Sequence, residues 1–200
     1  MTAEMNEKIK SQQQEMSSIY YETDSYEWTE QINNGKILQH STKPPRMDVM
    51  MFKCKTILNC AMLNIRQIFM NVEIRRQWET ILYDIESFDV TKDMNYQIQY
   101  YAYKSPPMAS DRDFLAEVFL WHDFPEPGMM SISLQSVEDP RMPVQKNKVR
   151  AHVYNQLLVV KPLEPVDGKE RCEVLLVNNI DINGLVPKWI VNLAARTAPA

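Results

Sequence analysis

Glycine is nearly absent: there are four in 200 residues. A G-x-G-x-x-G loop, a Walker-type loop or a G-x-S-x-G elbow each concentrates glycines in one short span, and none of these patterns occurs. Cysteine is also scarce. Cys54, Cys60 and Cys172 are an odd number at wide spacing, with no C-x-x-C, so neither a disulfide framework nor a zinc-type cluster is indicated. Free thiols in a reducing compartment are the expectation. His40, His122 and His152 lie far apart in the chain, and no H-E-x-x-H is present. Basic excess is missing too: 22 Lys and Arg face 26 Asp and Glu, giving net charge -4. A nucleic-acid binder is usually basic, so that partner class is set aside. No apolar run approaches the ~18 residues of a membrane span. The opening MTAEMNEKIKSQQQEMSS has no apolar segment of the signal-peptide kind. The sequence therefore reads as soluble and cytoplasmic.

What is there can build one domain. Hydrophobic residues make up 44% of the chain, enough for a real core. Thirteen methionines are many for this length. Their flexible thioethers suit irregular apolar cavities, although many fall on predicted surfaces. Residues 3–19 read as a helix with a thin stripe of Met5, Ile9 and Met16. A hairpin turns at Asn33-Asn34-Gly35 between SYEWTEQI and KILQHST. MDVMMFKCKTIL alternates as a third strand. NCAMLNIRQIFMNVEIRRQWE then changes period, with Met62, Ile65, Phe69, Ile74 and Trp78 at helical spacing. That is one helix, or two short ones broken near Asn71. Six further strand-like runs follow: DIESFDVT, YQIQYYAYK, RDFLAEVFLWH, MMSISLQSV, NKVRAHVYNQLLVV and RCEVLLVNNIDI. A last helix, PKWIVNLAAR, starts at Pro187. Consecutive strands without alternating helices predict an α+β fold with an antiparallel sheet of about nine strands. A sheet of that breadth curls, and a helix closing it encloses space for a ligand.

One strand sharpens the question. In VRAHVYNQLLV (149–159), strict alternation puts Arg150, His152, Tyr154 and Gln156 on one face and Ala151, Val153 and Leu157 on the other. If the polar row faces inward, something polar must meet it. No catalytic set emerges. Asp111-Arg112-Asp113 could supply paired carboxylates, but an Arg held between two Asp at a turn is the better reading. His152 reads as a hydrogen-bonded structural histidine. No catalytic residue, metal or cofactor is assigned.

Four segments in order resemble the START family, the steroidogenic-acute-regulatory-related lipid transfer domain. They are Arg75-Arg76-Gln77-Trp78-Glu79; Pro106-Pro107-Met108 with Arg112-Asp113-Phe114; Pro140 and Pro143 with Val149-Arg150; and Gly184, Pro187, Trp189 and Asn192. The resemblance spans residues 20–200, with 1–19 as an N-terminal helix of the domain. It implies a helix-grip fold: a curved sheet around a C-terminal helix, with a tunnel for one lipid, and a carrier rather than an enzyme.

Within the family the chain is similar to the phosphatidylcholine transfer proteins. That likeness implies that Arg75 binds the lipid phosphate and Glu79 holds it. It also implies a choline cage at Tyr101, Tyr103, Phe114, Tyr154 and Gln156. Tyr101 stands where the subgroup has tryptophan, Tyr103 where it has a small aliphatic residue, and Phe114 where it has tyrosine. A quaternary ammonium cannot be hydrogen-bonded, so ring faces suit it. A gate is implied at Pro107 and Met108 and at Trp189, Ile190 and Leu193 of the lid helix. The implied partners are a phospholipid and, transiently, a membrane surface, with the protein a monomer. Other readings are a sterol or ceramide carrier, the regulatory lipid-binding domain of an acyl-CoA thioesterase, and an interaction domain with a collapsed cavity. For Arg75 and Glu79 the plain alternative is a solvated surface ion pair, worth about 0.3–0.5 kcal/mol.

Overall fold

The structure, a computed structural model, describes residues 3–22, 25–44 and 48–184. A helix α1 (Ala3–Glu22) leads into the strands β1 (Thr29–Asn33), β2 (Ile37–Thr42) and β3 (Met51–Leu58). Two short helices follow, α2 (Met62–Met70) and α3 (Val72–Trp78). The remaining strands are β4 (Leu82–Phe88), β5 (Tyr96–Tyr103), β6 (Asp111–His122), β7 (Met130–Ser136), β8 (Lys148–Arg150), β9 (His152–Val166) and β10 (Lys169–Asp181). The helix expected at Pro187 and the lid residues Trp189, Ile190 and Leu193 lie outside the described residues.

All ten strands form one sheet in the order β1-β2-β3-β10-β9-β7-β6-β5-β4, with β8 attached to β6. Every pairing is antiparallel except β6 with β8. The α+β class and the antiparallel sheet are as the sequence predicts. The extra strand arises at Ala151, where the predicted run 147–160 breaks. There the Ala151 amide donates to the Asp113 carbonyl of β6 (2.8 Å), and β8 stays beside β6 while β9 crosses to β7. The β9–β10 turn uses Asp167 and Gly168, with φ of 51° and 73°. Two successive positive φ values fit the twist of a tight hairpin, and an Asp-Gly pair adopts them at low cost.

The sheet buries both faces. Under α1 lies an outer core in which Met16 meets Tyr100, Leu115, Phe119, Trp121, Leu157 and Val159. Under α2 lies an inner core that joins Ile65 and Met70 to Tyr101, Phe114, Val118, Ile132, Leu158 and Val160. Period-two alternation sorts β5 and β6 cleanly between them. Ile98, Tyr100 and Ala102 go out with Leu115 and Phe119, while Tyr101 goes in with Phe114 and Ala116.

On β9 the alternation fails, which corrects the reading of 149–159. Ala151 and Val153 belong to the inner core, but so do Leu158 and Val160, while Leu157 and Val159 face out. The register jumps there: Asn155 pairs Asn179 and Val153 pairs Ile180, leaving Tyr154 without a partner in β10. That extra residue is a β-bulge, which re-aims side chains on either side of it. Ala151 and Val153 therefore do not share a face with Leu157.

Asn71 sets the break between α2 and α3. Its backbone is extended (φ -100°, ψ 110°), and its side chain accepts from the amides of Glu73 (3.0 Å) and Ile74 (3.3 Å). An N-cap of this kind satisfies amides that α3 cannot bond internally. Replacing Asn71 with Ala is expected to cost about 1 kcal/mol in urea unfolding, and replacing it with Asp much less.

Candidate functional site

The α2–α3 break is fastened to the sheet from below. Gln97 of β5 donates to the Met70 carbonyl (3.0 Å) and Gln99 to the Phe69 carbonyl (3.4 Å), both at the end of α2. These carbonyls have no partner within their own helix turn, so buried amides supply one. The fastening lays α3 over β5 and turns Arg75 onto the inner face.

Arg75 is buried there, with its side chain 9% exposed. Its Nε donates to Glu79 Oε2 (2.6 Å), Nη1 to Gln99 Oε1 (3.3 Å) and Nη2 to Tyr103 Oη (2.8 Å). The Tyr103 hydroxyl in turn donates to Glu79 Oε1 (2.5 Å). Arg75, Glu79 and Tyr103 thus close a ring of charge-assisted bonds. The guanidinium carbon also sits 4.8 Å from the centre of the Tyr101 ring. Burial alone would lower the pKa of Arg75, but the facing Tyr103, Glu79 and Tyr101 hold it above its ordinary value. The pair is not a solvated surface bridge. Inside the wall a lone guanidinium would cost several kcal/mol, and this ring compensates it.

Three of the predicted aromatics meet here. Tyr101 stacks on Phe114 (4.9 Å between ring centres, 11° between planes), and Tyr103 is T-shaped to both (5.6 and 5.7 Å). The rings fill one another's faces, and the remaining face of Tyr101 is taken by Arg75. Tyr154 and Gln156 sit elsewhere, on β9, three strands along the sheet from β5. Tyr154 is 37% exposed and lies edge-to-face with His152 (4.6 Å). Gln156 is half-buried and pairs with Leu134 of the inner core on one side and Asn178 on the other. The structure thus groups Arg75, Glu79, Tyr101, Tyr103 and Phe114, and places Tyr154 and Gln156 apart from them.

Pro107 and Met108 form the tip of the loop between β5 and β6. The Ala109 amide donates to the Pro106 carbonyl (3.2 Å), and Met108 has φ 72°. Proline followed by a positive φ marks a type II turn, whose second corner normally carries glycine. Met108 occupies that strained corner with its side chain fully exposed.

The Asp-Arg-Asp triplet is not an arginine held between two aspartates. Asp111 pairs with Lys104 (3.0 Å), and Asp113 with Arg150 (3.0 Å). Arg112 instead donates to three main-chain carbonyls, those of Ser110, Ile182 (3.2 Å) and Asn183 (3.0 Å). It ties the end of the exposed loop to the end of β10. Gln97 and Gln99 went unremarked in the sequence reading. Their signal was there: two glutamines alternating with tyrosines in YQIQYY, on a strand that is buried on both faces. Two open cavities, of about 690 and 450 Å³, lie under the 136–144 loop and beneath Tyr20 and Tyr21 of α1, and Arg75 lines neither.

A broad antiparallel sheet, roofed by helices and carrying a compensated arginine in its inner wall, defines an α+β domain of the helix-and-sheet class. More narrowly, the chain belongs to the START domain family, whose model matches residues 7–198. START domain-containing protein 10 of Mus musculus and of Homo sapiens are each 25% identical over 154 residues, covering 75% of this chain and 50% of the relative. The chain therefore spans about half the length of these curated relatives. The crystal structure of human STARD10 superposes with a TM-score of 0.75 at 19% identity, covering 90% of this chain and 73% of that one. Human StAR-related lipid transfer protein 5 gives a TM-score of 0.77 at 17% identity, with 94% and 90% covered. At such identities the structures establish a shared fold.

Burial pushes the Tyr101 hydroxyl up to about 12 from the ordinary 10, with Arg75 pulling the other way, and burial pushes Tyr103 well above 10. The folded state keeps these protons where the unfolded chain gives them up. Unfolding then releases protons, so stability is full below pH 10 and falls as pH rises towards 12. Phenolate absorbance of these tyrosines is expected to appear together with loss of near-ultraviolet dichroism. Titration with the fold intact would contradict the burial described.

Proposed function

We propose that this domain binds one lipid molecule, with the polar head at Arg75 and the tails along the inner face, and carries it between membranes. The observation that carries this reading is the charged, ring-held Arg75 buried among the aromatic and aliphatic side chains of the inner wall. A buried cation with two N–H groups unengaged among the described residues suits an oxygen-rich head, and a planar fork suits phosphate above all. Membership of the START domain family supports it. So does the name of StAR-related lipid transfer protein 5, whose fold this chain shares.

The favoured cargo is a phosphatidylcholine-like phospholipid. Two acyl chains bring about 30 methylenes, each worth about 0.8 kcal/mol on leaving water, but a bilayer gives nearly the same environment. Tails therefore require an apolar wall and choose little; the head chooses. Its phosphate would lie on Arg75. Its choline would need an open ring face, and Tyr101 already gives one face to Arg75 and one to Phe114. The exposed ring of Tyr154 is the face available, so choline binding on this reading brings Tyr154 towards the head. Pro107 and Met108 form the gate: a strained turn that presents a bare methionine is suited to the headgroup zone of a bilayer. A sterol has no anion for Arg75 and fits less well.

Extraction of the purified protein followed by mass spectrometry is expected to find a choline phospholipid at close to one per chain. Arg75→Ala is expected to abolish phospholipid pickup from vesicles. Undiminished pickup by that variant would remove the reading.

A further inference from the structure

Glu79 makes only half of the contact it could make with Arg75. A carboxylate beside a guanidinium closes readily into a two-bond fork, one oxygen to Nε and the other to a terminal nitrogen. Here Oε2 takes Nε, but Oε1 is drawn off to the Tyr103 hydroxyl (2.5 Å). The same hydroxyl occupies Nη2 (2.8 Å), the nitrogen the second carboxylate oxygen would otherwise reach. Tyr103 stands between the two partners, held by the edge contacts of its ring with Tyr101 and Phe114.

We propose that Tyr103 is a positioning residue that wedges the Arg75–Glu79 pair open and so keeps the guanidinium available to an anionic lipid head. The inference rests on the reading that a lipid phosphate engages Arg75. In the empty protein the hydroxyl gives both Nη2 and Oε1 a partner. When a phosphate arrives on the two N–H groups that engage no described residue, the hydroxyl keeps its bond from Nη2. The bond it donates to Glu79 remains, so the carboxylate still cannot swing onto the arginine or meet the phosphate with a bare oxygen. Without the hydroxyl, Glu79 rotates into the fork and sets both carboxylate oxygens against the guanidinium, which weakens the pull of the arginine on the incoming anion. A tyrosine whose only task was to line a cage would need its ring face free and would have no use for its hydroxyl. Here the ring is in T-shaped contact with Tyr101 and Phe114, and the hydroxyl is bonded on both sides.

The test uses the whole chain and vesicles containing either phosphatidylcholine or diacylglycerol with the same acyl chains. Tyr103→Phe keeps the ring and removes the hydroxyl. It is expected to weaken phosphatidylcholine pickup about tenfold, the size of one charge-assisted bond, and to leave diacylglycerol pickup unchanged. Adding Glu79→Gln to Tyr103→Phe removes the competing charge and is expected to restore most of the phosphatidylcholine pickup. Pickup by Tyr103→Phe equal to or above wild type overturns the wedge. So does a loss that Glu79→Gln fails to restore, since the hydroxyl would then be touching the lipid itself. If Arg75→Ala binds phosphatidylcholine as well as wild type, the phosphate reading itself has failed and the wedge fails with it. Loss with Arg75→Ala but none with Tyr103→Phe removes the wedge alone. Thermal melting of each variant separates these losses from unfolding.

Discussion

A guanidinium inside an apolar wall has to be answered by something, and in this protein three side chains and one ring answer it. That constraint organises the region around it. Arg75 reaches the inner face because α3 restarts at Asn71, and α3 lies where it does because Gln97 and Gln99 hold the end of α2. Glu79 is available because it is the residue at which α3 ends, one turn beyond Arg75. The aromatic pack of Tyr101, Tyr103 and Phe114 excludes water from the ring and so strengthens each of its bonds. Loss of any one of these leaves a buried charge short of a partner, which is a larger penalty than the bond itself is worth.

The two faces of the sheet divide the work. The outer face is an ordinary core, closed by α1 with stacked Phe119 and Trp121 (5.6 Å between ring centres). The inner face mixes aliphatic side chains with a few polar groups, concentrated at Arg75 and along the row Ser41, Asn178 and Gln156 that the β-ladder aligns across neighbouring strands. A lipid has this same composition: a long apolar part and one polar end. Arg112 bonds both the loop that bears Met108 and the two residues that follow β10.

The broad architecture was legible because it is written in local signals. Period-two runs, the Asn-Gly turn and the helical spacing before Trp78 gave strand and helix positions close to those observed, and Asn71 was visible as a break. Ala151 and Tyr154 were not legible. A strand that changes partner and a bulge are both settled by pairing with distant strands, and neither leaves a mark in the alternation of a single segment. The spacing of Arg75 and Glu79 showed that they could meet; nothing in the spacing showed that they are buried. The role of Gln99 was hidden for the opposite reason. A glutamine in a strand reads as a solvent-facing residue until the helix above it is known to need donors. Tyr103 was read for its ring, whereas its hydroxyl makes the defining contacts.

The central claim is that the inner-face arginine receives the head of the cargo. The most direct measurement is an experimental structure of the protein loaded with phosphatidylcholine. The account predicts a phosphate oxygen within hydrogen-bond distance of Arg75 and acyl chains against Leu158, Val160 and Ile132. A lipid bound on the α1 face, or one on the inner face with its phosphate remote from an unchanged Arg75–Glu79–Tyr103 ring, would contradict it.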